Sequence, residues 1–147
     1  MAKIQSTAQI IGIIVGIVVG ILVGAAVFNL TQKYSSQKLN IDKVLVKISS
    51  EMNENLPAMI DAITRLDNVM ALPNKAIQYN YTLISADIED LDIDALKKFL
   101  EQQIININTT NPDLKYFRDN NIIMKYYYKD EYGKYLFTIV FDPEQHK

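Results

Sequence analysis

From Ile10 to Leu30 the chain carries no charged residue, and that run constrains how the rest of the chain is read. Twenty-one helical residues at about 1.5 Å each reach roughly 31 Å, the thickness of a bilayer's hydrocarbon core. A helix resting on a small domain keeps a polar face, whereas here only Asn29 is strongly polar. The run predicts a transmembrane helix over residues 10–30, behind an N-terminal tail of residues 1–9. Gly12, Gly16, Gly20 and Gly24 recur within it every fourth residue, and the chain's only other glycine is Gly133. Positions four apart stay on one side of a helix, so the four glycines predict a groove. In lipid, such a groove lets a second membrane helix approach closely.

The same run can be read as a secretory signal. Lys3 supplies a basic start, and Gly24 and Ala26 supply small residues for cleavage after Ala26. Its length favours a retained signal-anchor over a cleaved signal. Counting charge places Lys33, Lys38 and Lys43 after the helix against Lys3 before it, which by itself would hold the domain inside. An apolar segment so near the N-terminus commonly exports the domain behind it, and export is the favoured orientation.

Beyond residue 30 the chain reads as soluble. Residues 31–40, TQKYSSQKLN, form a polar juxtamembrane connector, and residues 41–147 a small α+β domain. The whole-chain charge of −2 becomes −3 once Lys3 is set aside, and the chain has only two arginines, Arg65 and Arg118. Nucleic-acid binding wants a basic stripe, so it is excluded. There is no cysteine, and the one histidine, His146, is the penultimate residue. A thiolate nucleophile, a cysteine-ligated metal and a histidine general base are thereby removed, and no catalytic, cofactor or metal residues are assigned. The acidic stretch of Asp87, Glu89, Asp90, Asp92 and Asp94 has no glycine for a calcium loop and reads as an acidic helix start.

Periodicity supplies the elements. Ile41, Leu45, Ile48 and Met52 fit a helix capped by Asn40 and ending near Pro57. Thr64–Ala71, the turn LPNK and the alternating AIQYNYTLI predict a hairpin. Asp92 caps a second helix through Leu96, Leu100 and Ile104. A second hairpin runs through Ile122–Tyr128, the DEYGK turn and YLFTIVF. The expected order after the membrane helix is αββαββ, with a four-stranded antiparallel sheet covered by helices on one face.

Pro57, Ile60, Asp61, Thr64 to Asp67, Tyr79, Tyr81, Thr82, Tyr126, Tyr128, Asp130 and Gly133 together carry a resemblance. Residues 55–141 resemble a group of small bacterial exported proteins of unknown function. Their pattern runs Pro–x–x–hydrophobic–Asp–x–x–Thr–Arg–Leu–Asp, then Tyr–x–Tyr–Thr, then a tyrosine-rich hairpin with Asp and Gly in its turn. The resemblance implies export and supplies no activity. This chain departs from the group in lacking a cysteine pair and in its longer apolar segment.

The candidate surface of the domain is Asp61, Arg65 and Asp67 with the tyrosines Tyr127 and Tyr132. Tyr79, Tyr81, Tyr126 and Tyr128 alternate with polar neighbours and are expected in the core. The functional expectation is a non-enzymatic, single-pass protein of a bacterial inner membrane, with its domain in the periplasm. It would assemble with other membrane helices through its glycines, and the domain would meet a protein partner. The alternative is a cleaved, secreted or periplasmic binding module for a partner protein or ligand.

Overall fold

The computed structural model describes residues 18–36, 40–84 and 91–147. Helix α1 (Val18–Ser35) leads into α2 (Ile41–Asn53), a short strand β1 (Ala58–Met59), and the hairpin β2 (Thr64–Leu72) and β3 (Ala76–Leu83). Helix α3 (Ile93–Thr110), a 3-10 turn at Pro112–Leu114 and the short α4 (Lys115–Asp119) carry the chain to a second hairpin, β4 (Ile123–Asp130) and β5 (Tyr135–Phe141). A 3-10 turn at Pro143–His146 comes last.

The five strands form one sheet in sequence order. This corrects the expected four-stranded antiparallel sheet in two ways. β1 adds a fifth strand by pairing Ala58 with Leu66 and Met59 with Arg65. The two hairpins join through β3 and β4 in parallel register, from Ala76 opposite Ile123 to Leu83 opposite Asp130. A parallel pair needs a long crossover, and α3 is that crossover.

Strand alternation then puts one face against the helices. Ile77, Tyr79, Tyr81 and Leu83 of β3 are buried with Met124, Tyr126 and Tyr128 of β4 and Phe137, Ile139 and Phe141 of β5. The helices supply Leu45, Ile48 and Met52 from α2 and Leu96, Leu100 and Ile104 from α3. Both expected caps are formed. Asn40 Oδ1 accepts from Lys43 N at 2.9 Å and Asp92 Oδ1 accepts from Ala95 N at 3.0 Å. Arg118 donates to the carbonyls of Asn108 and Asn111 at the end of α3, at 2.9 and 2.7 Å, satisfying acceptors that a helix end leaves open.

The N-terminal helix departs most from expectation. α1 runs past Leu30 to Ser35, into the first half of the expected connector. Its second half belongs to the domain: Val27, Thr31 and Tyr34 are buried and Leu30 packs against the core. The ammonium groups of Lys33 and Lys47 stand over the Tyr34 ring, 5.0 and 4.9 Å from its centroid, a cation–π arrangement worth about 0.5–1 kcal/mol at such sites. Uniform apolarity concealed this, because Val27 and Leu30 are as apolar as lipid-facing residues but are covered by protein. No helix among the described residues is long and apolar enough to cross a membrane. Gly12 and Gly16 lie outside the described residues, and Gly20 and Gly24 fall within α1, so the expected helix–helix surface gains no support.

Candidate functional site

Among the described residues, a cavity lies where α1 meets the end of α2. Hydrogen bonds from Glu54, Asn55 and Leu56 N to the carbonyls of Glu51, Met52 and Asn53, each 3.3 Å, turn the chain at the foot of α2. The Leu56–Pro57 peptide is cis, and the chain then enters β1. Between these segments and α1 lies a groove of about 410 Å³, lined by Leu30, Met52, Leu56, Met59, Ile60 and Leu66 with Ala26 and Ala58. Its rim carries Asn29, Glu51, Glu54 and Asn55. Lys33 Nζ bonds Glu51 Oε1 at 2.7 Å and ties the two helices together at that rim. The volume falls in the range of small-molecule or side-chain pockets, and Met59 remains 49% exposed.

The residues singled out in the sequence sit elsewhere, and the structure divides them. Asp61 closes the turn before β2: its Oδ1 accepts from Ile63 N at 2.9 Å and Thr64 N at 2.8 Å, while Ile60 N donates to Thr64 O at 2.8 Å. Arg65 and Asp67 meet on the uncovered face of the sheet, where a β-bulge between Leu66 and Asn68 sets Asp67 out of register. Arg65 Nε donates to Asp67 Oδ1 at 2.5 Å, and Thr82 Oγ1 donates to Oδ2 at 2.6 Å. Lys129 Nζ stands 3.3 Å from the same oxygen. Burial raises the Asp67 pKa, but the hydrogen bonds from Thr82, Arg65 and Lys129 outweigh it and hold the carboxyl below its usual 3.8. A carboxylate tied to three strands fixes register and has little left to offer a ligand.

The neighbouring rung is neutral. Gln78 donates to Asn80 at 2.8 Å, and Asn80 to Asn68 at 2.7 Å. Tyr127 stacks at a tilt on Tyr135, with centroids 5.4 Å apart, and Tyr132 stands 84% exposed in the hairpin turn. Asp130 Oδ1 holds that turn by accepting from Tyr132 N and Lys134 N at 2.9 and 2.8 Å. Gly133 supplies the left-handed residue the turn requires, with φ 85°. The structure therefore brings Arg65 and Asp67 together but not Asp61, Tyr127 or Tyr132 with them. His146 stacks on the Phe141 ring, centroids 4.8 Å apart. Among the described residues no cluster of three acidic or histidine side chains could hold a metal.

Sequence reasoning missed the groove because its walls come from three separate segments. The available signal was local: Leu56, Met59 and Ile60 crowd around Pro57 at a point where neither a helix nor a strand pattern holds.

The fold defines a small α+β domain with a five-stranded mixed sheet, helices on one face and an apolar groove at one edge. The chain belongs to a family described as a domain of unknown function, DUF8479, whose model matches residues 40–137. The fold is shared with a putative secreted protein from Pseudomonas aeruginosa, at 13% identity and a TM-score of 0.62, covering 73% of this chain and 93% of that one. It is also shared with a pilotin of the Vibrio vulnificus type 2 secretion system, at 6% identity and a TM-score of 0.58, covering 73% and 92%. No curated protein matches the sequence. Since the family match begins at residue 40, α1, which forms one wall of the groove, lies outside it.

Proposed function

We propose that the protein works outside the cytoplasm as a non-enzymatic binding module, whose groove receives an apolar segment of a partner protein. The observation that carries this is the groove itself, an apolar floor of about 410 Å³ open to solvent beside a carboxylate rim. Met52 and Met59 give it an adaptable surface suited to a helical or irregular segment. Glu54 at the rim favours a partner with a lysine or arginine beside its apolar residues.

The shared fold supports export: one of the two structural relatives is called a putative secreted protein and the other a pilotin of a type 2 secretion system. The non-enzymatic part rests on composition, namely one histidine and no cysteine.

The test places a photo-reactive phenylalanine analogue at Met59 and, as a control, at Tyr132, in cells of the native host. A discrete protein adduct is expected from position 59 only, from the fraction outside the cytoplasm, and it should vanish with Ala58→Arg, which fills the groove. Recovery of the protein from the cytoplasm overturns the location. Equal adducts at both positions, or none at either, overturn the groove as the binding site.

A further inference from the structure

The two outer edges of the sheet are finished differently. At the β2 edge, β1 pairs with Arg65 and Leu66, and farther along a side chain stands in for a strand. Asn53 Nδ2 donates to Val69 O and Val69 N donates to Asn53 Oδ1, both at 2.8 Å. The primary amide satisfies both backbone groups that a further strand would have used. At the β5 edge, the backbone of Tyr135–Phe141 is bonded to β4 alone among the described residues. The strand reads YLFTIVF, with no charge, proline or glycine, and Tyr135 and Val140 are 54% and 50% exposed. Natural edges are usually blunted by lysine, proline or a cover. Here the nearest charges are Lys134 before the strand and Asp142 after it.

We propose that this edge pairs antiparallel with β5 of a second copy, extending two five-stranded sheets into one. A two-fold axis at Thr138 sets the Lys134 end of each strand toward the Asp142 end of the other. A parallel pairing would bring lysine to lysine and aspartate to aspartate, so charge selects the antiparallel arrangement. The centre of the contact is the neutral stretch Phe137–Ile139, and Leu136 of each copy lies across from Val140 of the other, covering an exposed apolar side chain. The contact is isologous and closes after two copies. The β-bulge between β4 and β5 near Lys129 and Tyr135 limits the flat edge to this short stretch, which disfavours longer stacking. The proposal is independent of the groove, which lies at the opposite edge of the sheet.

The test uses the full chain in mild detergent. Sedimentation should show a dimer at tens of micromolar, and Thr138→Lys, which places two ammonium groups at the axis, should weaken it about tenfold or more. Directly opposed residues have Cβ atoms about 4.5–5.5 Å apart, close to disulfide reach. Because the chain has no cysteine, Thr138→Cys should form a disulfide-linked dimer under mild oxidation much faster than the control Tyr132→Cys. A monomeric wild type overturns the proposal. So does a dimer that Thr138→Lys leaves intact, or a Thr138→Cys variant that cross-links no faster than the control.

Discussion

On the covered face of the sheet, Tyr79, Tyr81, Tyr126 and Tyr128 are buried in two stacked pairs, with centroids 5.3 and 5.0 Å apart. On the open face, one rung away in the same strands, Asp67 is held by Arg65, Thr82 and Lys129. Both faces carry polar atoms, but among the described residues the buried strand side-chain atoms left without a partner, Thr64 Oγ1 and the hydroxyls of Tyr79 and Tyr81, belong to the covered face. The hydroxyls of Tyr79 and Tyr81 are buried without a hydrogen-bond partner among the described residues, whereas that of Tyr126 donates to Asn108 Oδ1 at 3.0 Å. The difference shows that the two faces are held together by different interactions. Ring area and stacking outweigh lost hydroxyl hydration on one side, since stacked pairs add about 0.5–1.5 kcal/mol beyond burial. On the other side, paired charges set register while contributing little to overall stability.

The contrast breaks most visibly at the ring. Tyr81→Ala removes a fully buried aromatic and should cost about 3–5 kcal/mol, read as a lower urea midpoint with an unchanged slope. Alkali attacks the same face. Burial raises the pKa of all four tyrosines above the usual 10, so the unfolded chain loses these protons first. Stability should therefore hold below pH 10 and fall as pH rises above it, with the phenolate absorbance of the four residues appearing together with loss of tertiary signal. A rise that precedes unfolding would mean that water reaches these rings in the folded state.

Smaller changes sharpen the comparison within one face. Tyr126→Phe strands the buried Asn108 amide and should cost about 1–2 kcal/mol. Asp67→Asn on the open face should cost about 1 kcal/mol at neutral pH. Because the Asp67 pKa lies below 3.8 in the folded state, its contribution is present above that pH and is lost as pH falls through the folded value. The wild-type advantage over Asp67→Asn should shrink in the same window, as measured by urea titrations at successive pH values. Tyr79→Phe removes a hydroxyl that has no partner and should be neutral or stabilising by up to about 1 kcal/mol. If Tyr79→Phe and Tyr126→Phe prove equally costly, the distinction between satisfied and unsatisfied hydroxyls fails.

Much of this fold was legible wherever the relevant interactions are local. The Asn40 and Asp92 caps, the hairpin beginning at Thr64 and the burial of alternate tyrosines all arise from neighbours within a few residues. The Pro57-to-Asp67 pattern also acquires a local reason: Asp61 closes the turn, and the bulge sets Asp67 beside Thr82. What escaped were relations between distant segments. The parallel joining of the hairpins depends on the path of α3, which periodicity along one strand does not encode. β1 is two residues long and leaves no pattern. Val27 and Leu30 read as lipid-facing because apolar side chains look the same under lipid and under protein. The groove combined these failures, drawing on α1, α2 and β1 at once.

The parallel seam between the hairpins has an optical consequence. The chain contains no tryptophan and nine tyrosines, so its near-ultraviolet dichroism comes chiefly from phenol rings in fixed surroundings. Four of those rings sit face to face across β3 and β4, held at defined angles on either side of the one junction that local sequence does not build. The protein thus carries a built-in chromophore at its least local contact. Its near-ultraviolet band responds to the joining of the two hairpins, while its far-ultraviolet band reports the backbone structure of helices and strands together.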